Sequence, residues 1–168
     1  VIFDLFGTLT GPFPWDGLTV CLREMAAALR VDCQTFYDLW NGPCKVRRHS
    51  GVFASFRDEL LWLCGEGNTN PPTEGLATAV QLRCDFTGST LRPRTDAVAT
   101  LERLRSAGVQ LGLISDCSRE VPELWPETPF HNLFDTEVFS CLEGMKKPNP
   151  AIYALACERL GVDARECI

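Results

Sequence analysis

The first nine residues, Val1-Ile2-Phe3-Asp4-Leu5-Phe6-Gly7-Thr8-Leu9, constrain this chain more than any other stretch. Three consecutive apolar side chains read as a strand covered on both faces, the kind found in parallel sheets. Open α/β sheets bind their ligands just beyond the carboxyl ends of such strands. Asp4 is therefore delivered to the place where chemistry is done, at the entrance to a turn. Gly7 and Thr8 let the backbone bend tightly behind it and turn N–H groups toward an anion. Taken alone, Asp4 reads either as a carboxylate capping that turn or as a nucleophile that forms a covalent intermediate later resolved by water.

The segment Thr10-Gly11-Pro12-Phe13-Pro14 breaks regular structure and leads out of the core. Helical periodicity follows. Leu18, Leu22, Met25 and Leu29 share one stripe, and Asp32 caps a second helix with Phe36, Leu39 and Trp40, ended by Asn41-Gly42-Pro43. A third helix is expected from Val52 to Cys64, stopped by Gly65, and a fourth from Thr73 to about Asp85 through Leu76, Val80 and Cys84. Four helices with no strand between them predict a compact helical insertion over residues 15–87.

Beyond Leu91-Arg92-Pro93 the rhythm changes. A helix at 96–107, a buried strand at 109–115, a short helix at 119–125, a strand at 137–140 and a helix capped by Asn149 with Pro150 at its first position alternate in order. That order predicts a parallel sheet with right-handed crossovers, an α/β core built from residues 1–14 and 88–168.

Composition narrows the function classes. Of 168 residues 45% are hydrophobic and 23% charged, as in an ordinary globular protein. The net charge of -6, with Arg47-Arg48-His49 the sole compact basic cluster, argues against nucleic acid as a partner. No apolar run approaches the roughly 20 residues that span a bilayer, and no signal-peptide pattern is present, so no membrane partner and a cytoplasmic location are expected. The nine cysteines have no Cys-x-x-Cys pair and read as reduced core residues rather than a zinc ribbon. The chain lacks a Gly-x-Ser-x-Gly elbow, a Walker loop and a Cys-x5-Arg phosphate loop. Nothing in the sequence speaks to oligomeric state.

Asp4-Leu5-Phe6-Gly7-Thr8-Leu9 after a hydrophobic strand resembles the first motif of the haloacid dehalogenase (HAD)-like hydrolase superfamily. Leu113-Ile114-Ser115-Asp116 resembles the second motif, and Lys146-Lys147-Pro148-Asn149-Pro150 the third. The resemblance implies a Rossmann-like core with a mobile helical cap inserted after the first strand. It also implies that Asp4 is the nucleophile, that Ser115 hydrogen-bonds the transferred group, and that Lys147 neutralises the nucleophile and a small anionic substrate. Gly7, Thr8, Asp116, Arg47 and Arg48 are expected to line the substrate site, although a cluster such as Arg47-Arg48-His49, between the second and third helices, is more often a solvated loop. Magnesium is the implied cofactor for a phosphatase, held by Asp4 and the backbone carbonyl of Phe6. The chain starts without methionine inside a strand and stops where another begins, so both ends read as cut, with the fourth, acidic motif expected past Ile168.

Two positions depart from the motifs. Superfamily phosphatases usually carry a second Asp two residues after the nucleophile as general acid and base, and here Phe6 stands in that place. Losing a general acid typically removes a factor of roughly 10² to 10⁴. In 2-haloacid dehalogenases the position is aromatic, because halide leaves without a proton. Asp116 replaces a common Asn, and its charge would repel an anion unless it is paired or turned away. Three readings follow: a phosphatase on a small phosphorylated metabolite, a metal-independent 2-haloacid dehalogenase, or a catalytically silent binding protein of the same fold.

Overall fold

A computed structural model describes all residues from Val1 to Ile168. The sheet is parallel with strand order β1-β2-β3, where β1 is Ile2–Phe3, β2 is Gly112–Ser115 and β3 is Thr136–Phe139. Phe3 lies beside Leu113, and Ser115 beside Phe139. Strand side chains alternate faces, so neighbours on β2 are buried in different clusters. Leu113 packs with Leu101, Val121, Trp125 and Phe139, whereas Ile114 packs with Val138, Ile152 and Ala156. Helices thus cover both faces, which is why Leu113, Ile114, Val138 and Phe139 are all apolar and buried. The covering helices are α6 (Ala97–Ser106) and α7 (Glu120–Leu124) on one side and α9 (Pro150–Leu160) on the other. The short α8 (Ser140–Glu143) follows directly on β3.

Between β1 and α6 the chain forms five helices, α1 (Trp15–Leu29), α2 (Cys33–Asn41), α3 (Pro43–His49), α4 (Phe56–Glu66) and α5 (Thr73–Thr90). They share a core of their own that includes Leu22, Met25, Phe36, Trp40, Phe56, Leu60 and Leu63. Caps fix several starts: the Asp32 carboxylate accepts the Thr35 N–H, Ser55 Oγ accepts that of Asp58, and Asn149 Oδ1 accepts that of Ala151. At Gly75 an added Cβ would lie 2.1 Å from the Ala28 carbonyl oxygen, so glycine permits the close approach of α5 to α1.

The structure corrects four expectations. Arg47-Arg48-His49 belongs to a helix, α3, rather than a loop, because Pro43 supplies a first-turn residue that needs no hydrogen-bonded N–H. The helix expected from Val52 starts at Phe56, where Ser55 provides the cap, and runs through Gly65 to Glu66. The last insertion helix continues to Thr90, past residue 87, and its inward stripe is Leu76, Ala79, Arg83 and Thr87 rather than Leu76, Val80 and Cys84. The second strand is shorter than 109–115, starting at Gly112.

Candidate active site

The site forms where β1 and β2 end side by side. After Asp4 the chain makes a wide helical turn, Leu5–Leu9, in which Gly7 takes φ of +76°, a left-handed conformation that glycine adopts without Cβ strain. The Asp4 carboxylate is half-exposed and forms an ion pair through Oδ1 with Lys147 Nζ, while Thr8 Oγ1 stands 3.5 Å from Oδ2. Lys147 is anchored twice more. Its ammonium donates to the Ile114 carbonyl at 3.2 Å, and its backbone N–H donates to Asp116 Oδ1 at 3.0 Å. Asp116 therefore spends one carboxylate oxygen on fastening the Lys147 loop to the end of β2.

Ser115 ends β2 one residue beyond the level of Asp4, and its side chain is fully buried. Its Oγ has no hydrogen-bond partner, with the Cys117 thiol nearby. A buried hydroxyl without a partner costs free energy, so a group that accepted its proton would be stabilised there.

Beside this centre a cavity of about 370 Å³ opens between the turn after Asp4, the loop after Ser115 and the insertion helices. Phe6, Gly7, Asp116, Cys117 and Ser118 form its core-side wall, and Phe13, Trp15, Leu18, Trp40, Lys45, Arg48, His49, Arg83 and Thr87 its opposite wall. Arg48 is buried, pairs with Glu59 at 2.6 Å and lies 3.7 Å over the Trp40 ring. Arg47 is exposed, stacks on Trp62 and is not on the cavity wall. Of the two arginines expected at the substrate, the structure brings Arg48 to the cavity and leaves Arg47 outside it. Burial, reinforced by the Arg48 charge, pushes the His49 imidazole down to about 4, which leaves the ring neutral at pH 7.

Sequence reading missed the second buried pair. Arg83 of α5 donates to Glu120 of α7 at 2.6 Å, and Ser118 and Thr87 hydroxyls converge on the same carboxylate oxygen at 2.7 and 3.3 Å. Burial opposes the Glu120 charge, yet Arg83 and Ser118 together hold its carboxyl below the usual range. A signal was available: Arg83 falls at helical spacing from Leu76 and Ala79, on the stripe that a packed helix buries.

A magnesium ion needs several oxygen ligands. No group of three His, Cys, Asp or Glu side chains converges anywhere in the chain. Asp4 Oδ2 and the Phe6 carbonyl are fewer donors than a resident ion requires, so residues 1–168 do not by themselves fit magnesium. No helix is long and apolar enough to cross a membrane.

A family model for haloacid dehalogenase-like hydrolases matches residues 1–168. The chain belongs to that family. Among curated proteins it is 32% identical over 102 residues to a glyceraldehyde 3-phosphate phosphatase of Methanopyrus kandleri, a match covering 59% of this chain and 43% of that protein. It is also 36% identical over 75 residues to (S)-2-haloacid dehalogenase 4A of Burkholderia cepacia, covering 42% of this chain and 31% of that protein. The chain thus matches less than half the length of either relative. A solved HAD family enzyme from Bacteroides thetaiotaomicron superposes with a TM-score of 0.72 at 16% identity, over 98% of this chain and 79% of that one. The same enzyme in complex with magnesium and inorganic phosphate superposes with a TM-score of 0.68. At these identities the structural likeness speaks to the fold: a HAD-like α/β core.

Proposed function

We propose that this HAD-like hydrolase cleaves a small phosphate monoester through an aspartyl intermediate on Asp4. The observation that carries the reading is the ion pair between Lys147 and Asp4 at the carboxyl end of the sheet. It supports the reading because a carboxylate able to attack and an ammonium able to meet an oxyanion share one point. In the reaction, Asp4 Oδ2, the oxygen that Lys147 does not hold, attacks phosphorus. The bond to the leaving oxygen breaks and the electron pair departs with it. Water then attacks the phosphorus of the aspartyl phosphate, releasing inorganic phosphate and restoring the carboxylate. Lys147 stays on the oxyanion throughout, Ser115 offers its unpartnered hydroxyl to the transferred group, and Gly7 and Thr8 turn the loop around it. Residues 15–87 act as a cap that closes the cavity over the substrate. In the full-length protein Asp4 and the Phe6 carbonyl would be two of the ligands of a magnesium ion, which would withdraw charge from the phosphoryl group.

The relative from M. kandleri supports phosphate as the transferred group. Phe6 supports a second reading, dehalogenation of a 2-haloacid, in which Asp4 attacks carbon and halide leaves without a proton. The test is turnover by the full-length protein on phosphate monoesters and on 2-haloacids, with and without chelator, beside an Asp4→Asn variant. Phosphate release that is abolished by chelator and by the variant is expected. Chelator-resistant halide release would replace the reading by the dehalogenase, and no turnover on either panel would replace it by a binding protein.

A further inference from the structure

Two features not used by the reaction above point the same way. The first is the residue at position 6. Phe6 lines the cavity where an acid would meet the leaving oxygen, and its ring packs edge-on against Phe13 at 5.9 Å. Phe13 in turn contacts Trp15 at 4.8 Å and Phe86 at 5.8 Å, so an aromatic wall continues from the nucleophile turn into the insertion. A leaving group that must depart without a proton needs a low pKa of its own. A phenol, at about 10 as in tyrosine, qualifies far better than a hydroxyl near the 15.7 of water.

The second feature is the cavity itself. Its volume of about 370 Å³ falls within the range of small-molecule sites, about 300–1,000 Å³. Trp15, Leu18, Trp40 and Val121 add to Phe6 and Phe13 as apolar surface. The two arginines on the wall bring no net charge, because Glu59 neutralises Arg48 and Glu120 neutralises Arg83. Lys45 on the same wall has no ion-pair partner, but Asp116 on the core-side wall offsets its charge, so beyond Lys147 the lining holds no surplus positive charge for a second phosphate. One buried donor is left over: the Arg83 side chain is only 9% exposed and its Nη1 has no hydrogen-bond partner. A buried donor of this kind is stabilised by a ligand that brings an acceptor.

We infer that the cleft takes the aryl leaving group of a phosphate monoester, with the ring among Phe6, Phe13, Trp15 and Trp40 and a neutral acceptor on the ring meeting Arg83. The inference rests on the phosphatase reading. In the step, the Asp4 Oδ2–P bond forms as the P–O(aryl) bond breaks, the electron pair leaves on the phenolate, and the phenolate is protonated by solvent. Phe6 then fits the substrate, as an aromatic contact where no acid is needed.

Aryl esters are intrinsically easier to cleave, so binding decides. Phenylphosphonate and methylphosphonate are titrated against the Asp4→Asn variant of the full-length protein by calorimetry, with the change in total tryptophan fluorescence, to which Trp15 and Trp40 contribute from the cavity wall, as a second readout. Phenylphosphonate is expected to bind at least tenfold more tightly, and aryl phosphates to exceed sugar phosphates in kcat/KM by at least about 100-fold in the unmutated protein. Trp15 is 70% exposed, so Trp15→Ala tests the wall without emptying the core, and it should lower the aryl-to-sugar ratio about tenfold. Equal binding of the two phosphonates overturns the inference whatever the turnover. Absence of phosphate release from every monoester, with phenylphosphonate still preferred, sinks the phosphatase reading and leaves the aromatic subsite standing.

Discussion

Asp4 and Lys147 lie 143 residues apart in the chain and touch in the fold, and Asp116 holds the lysine there through its backbone N–H. Each residue makes a separable prediction. Asp4→Asn keeps the size and the hydrogen bond to Thr8 but removes the nucleophile, so kcat should fall by roughly 10³-fold or more with little change in melting temperature. Lys147→Met removes the cation that meets the oxyanion and should lower kcat/KM by about 10² to 10³, the range seen when one preorganised charge-stabilising donor is lost. Asp116→Ala removes only the anchor. It should cost about 1–3 kcal/mol in a denaturant titration, the worth of a hydrogen bond to a charged group, and it should slow turnover less than Lys147→Met does. If Asp116→Ala proves as damaging to catalysis as Lys147→Met, Asp116 meets the substrate directly and the anchoring role is wrong.

At the scale of elements, α3 and α4 are joined by charge as well as by packing. Glu59 Oε1 accepts from Arg48 Nε at 2.6 Å and from the Cys44 thiol at 3.3 Å, while Oε2 has no partner. Burial raises the Glu59 carboxyl, with Arg48 opposing, and burial together with Glu59 pushes the Cys44 thiol up to about 12. Breaking such a pair from one side leaves an uncompensated charge, so Glu59→Ala should destabilise the protein by about 3–5 kcal/mol. The joint replacement Arg48→Met with Glu59→Leu should recover most of that loss. His49, next on α3, gives the same region a pH dependence. Its folded-state pKa of about 4 lies below the unfolded value near 6.5. The unfolded chain therefore binds a proton that the native one does not, and stability falls as pH drops from about 6.5 to 4. His49 is partly solvated, so the loss should be about 1–2 kcal/mol after screening. Denaturant titrations at pH 7 and pH 4.5 measure it, and His49→Gln should remove that part of the slope.

For the whole molecule, the helical insertion and the sheet have separate cores. One cluster draws its buried residues from 21–79, and the two on either face of the sheet draw theirs from the first turn and 91–141 and from 114–156. Arg83 to Glu120 and the Arg119 side chain to the Phe53 carbonyl, at 2.8 Å, tie them together. The βαβ order and the helical insertion were legible because each rests on local patterning, on apolar runs and caps such as Asp32 and Asn149, whereas the meeting of three motifs came from the family resemblance. Which charges pair, and which of the two helical stripes of α5, Leu76-Ala79-Arg83 or Leu76-Val80-Cys84, faces inward, the spacing alone did not decide. Both depend on which charged residue on one helix finds its partner 11 or 37 positions away, and that is set by packing. Arg47 and Arg48 illustrate the limit: adjacent in sequence and alike in chemistry, they point to Trp62 and to the cavity because successive helical residues lie on different faces.

The central claim is a covalent intermediate on Asp4, and it is tested most directly by acid-quenching the full-length protein during turnover of a phosphate monoester and mapping modified peptides by mass spectrometry. A phosphoryl group is expected on the peptide that contains Asp4 and is expected to be absent from the Asp4→Asn variant. Turnover with that peptide unmodified, and retained in the variant, would contradict it.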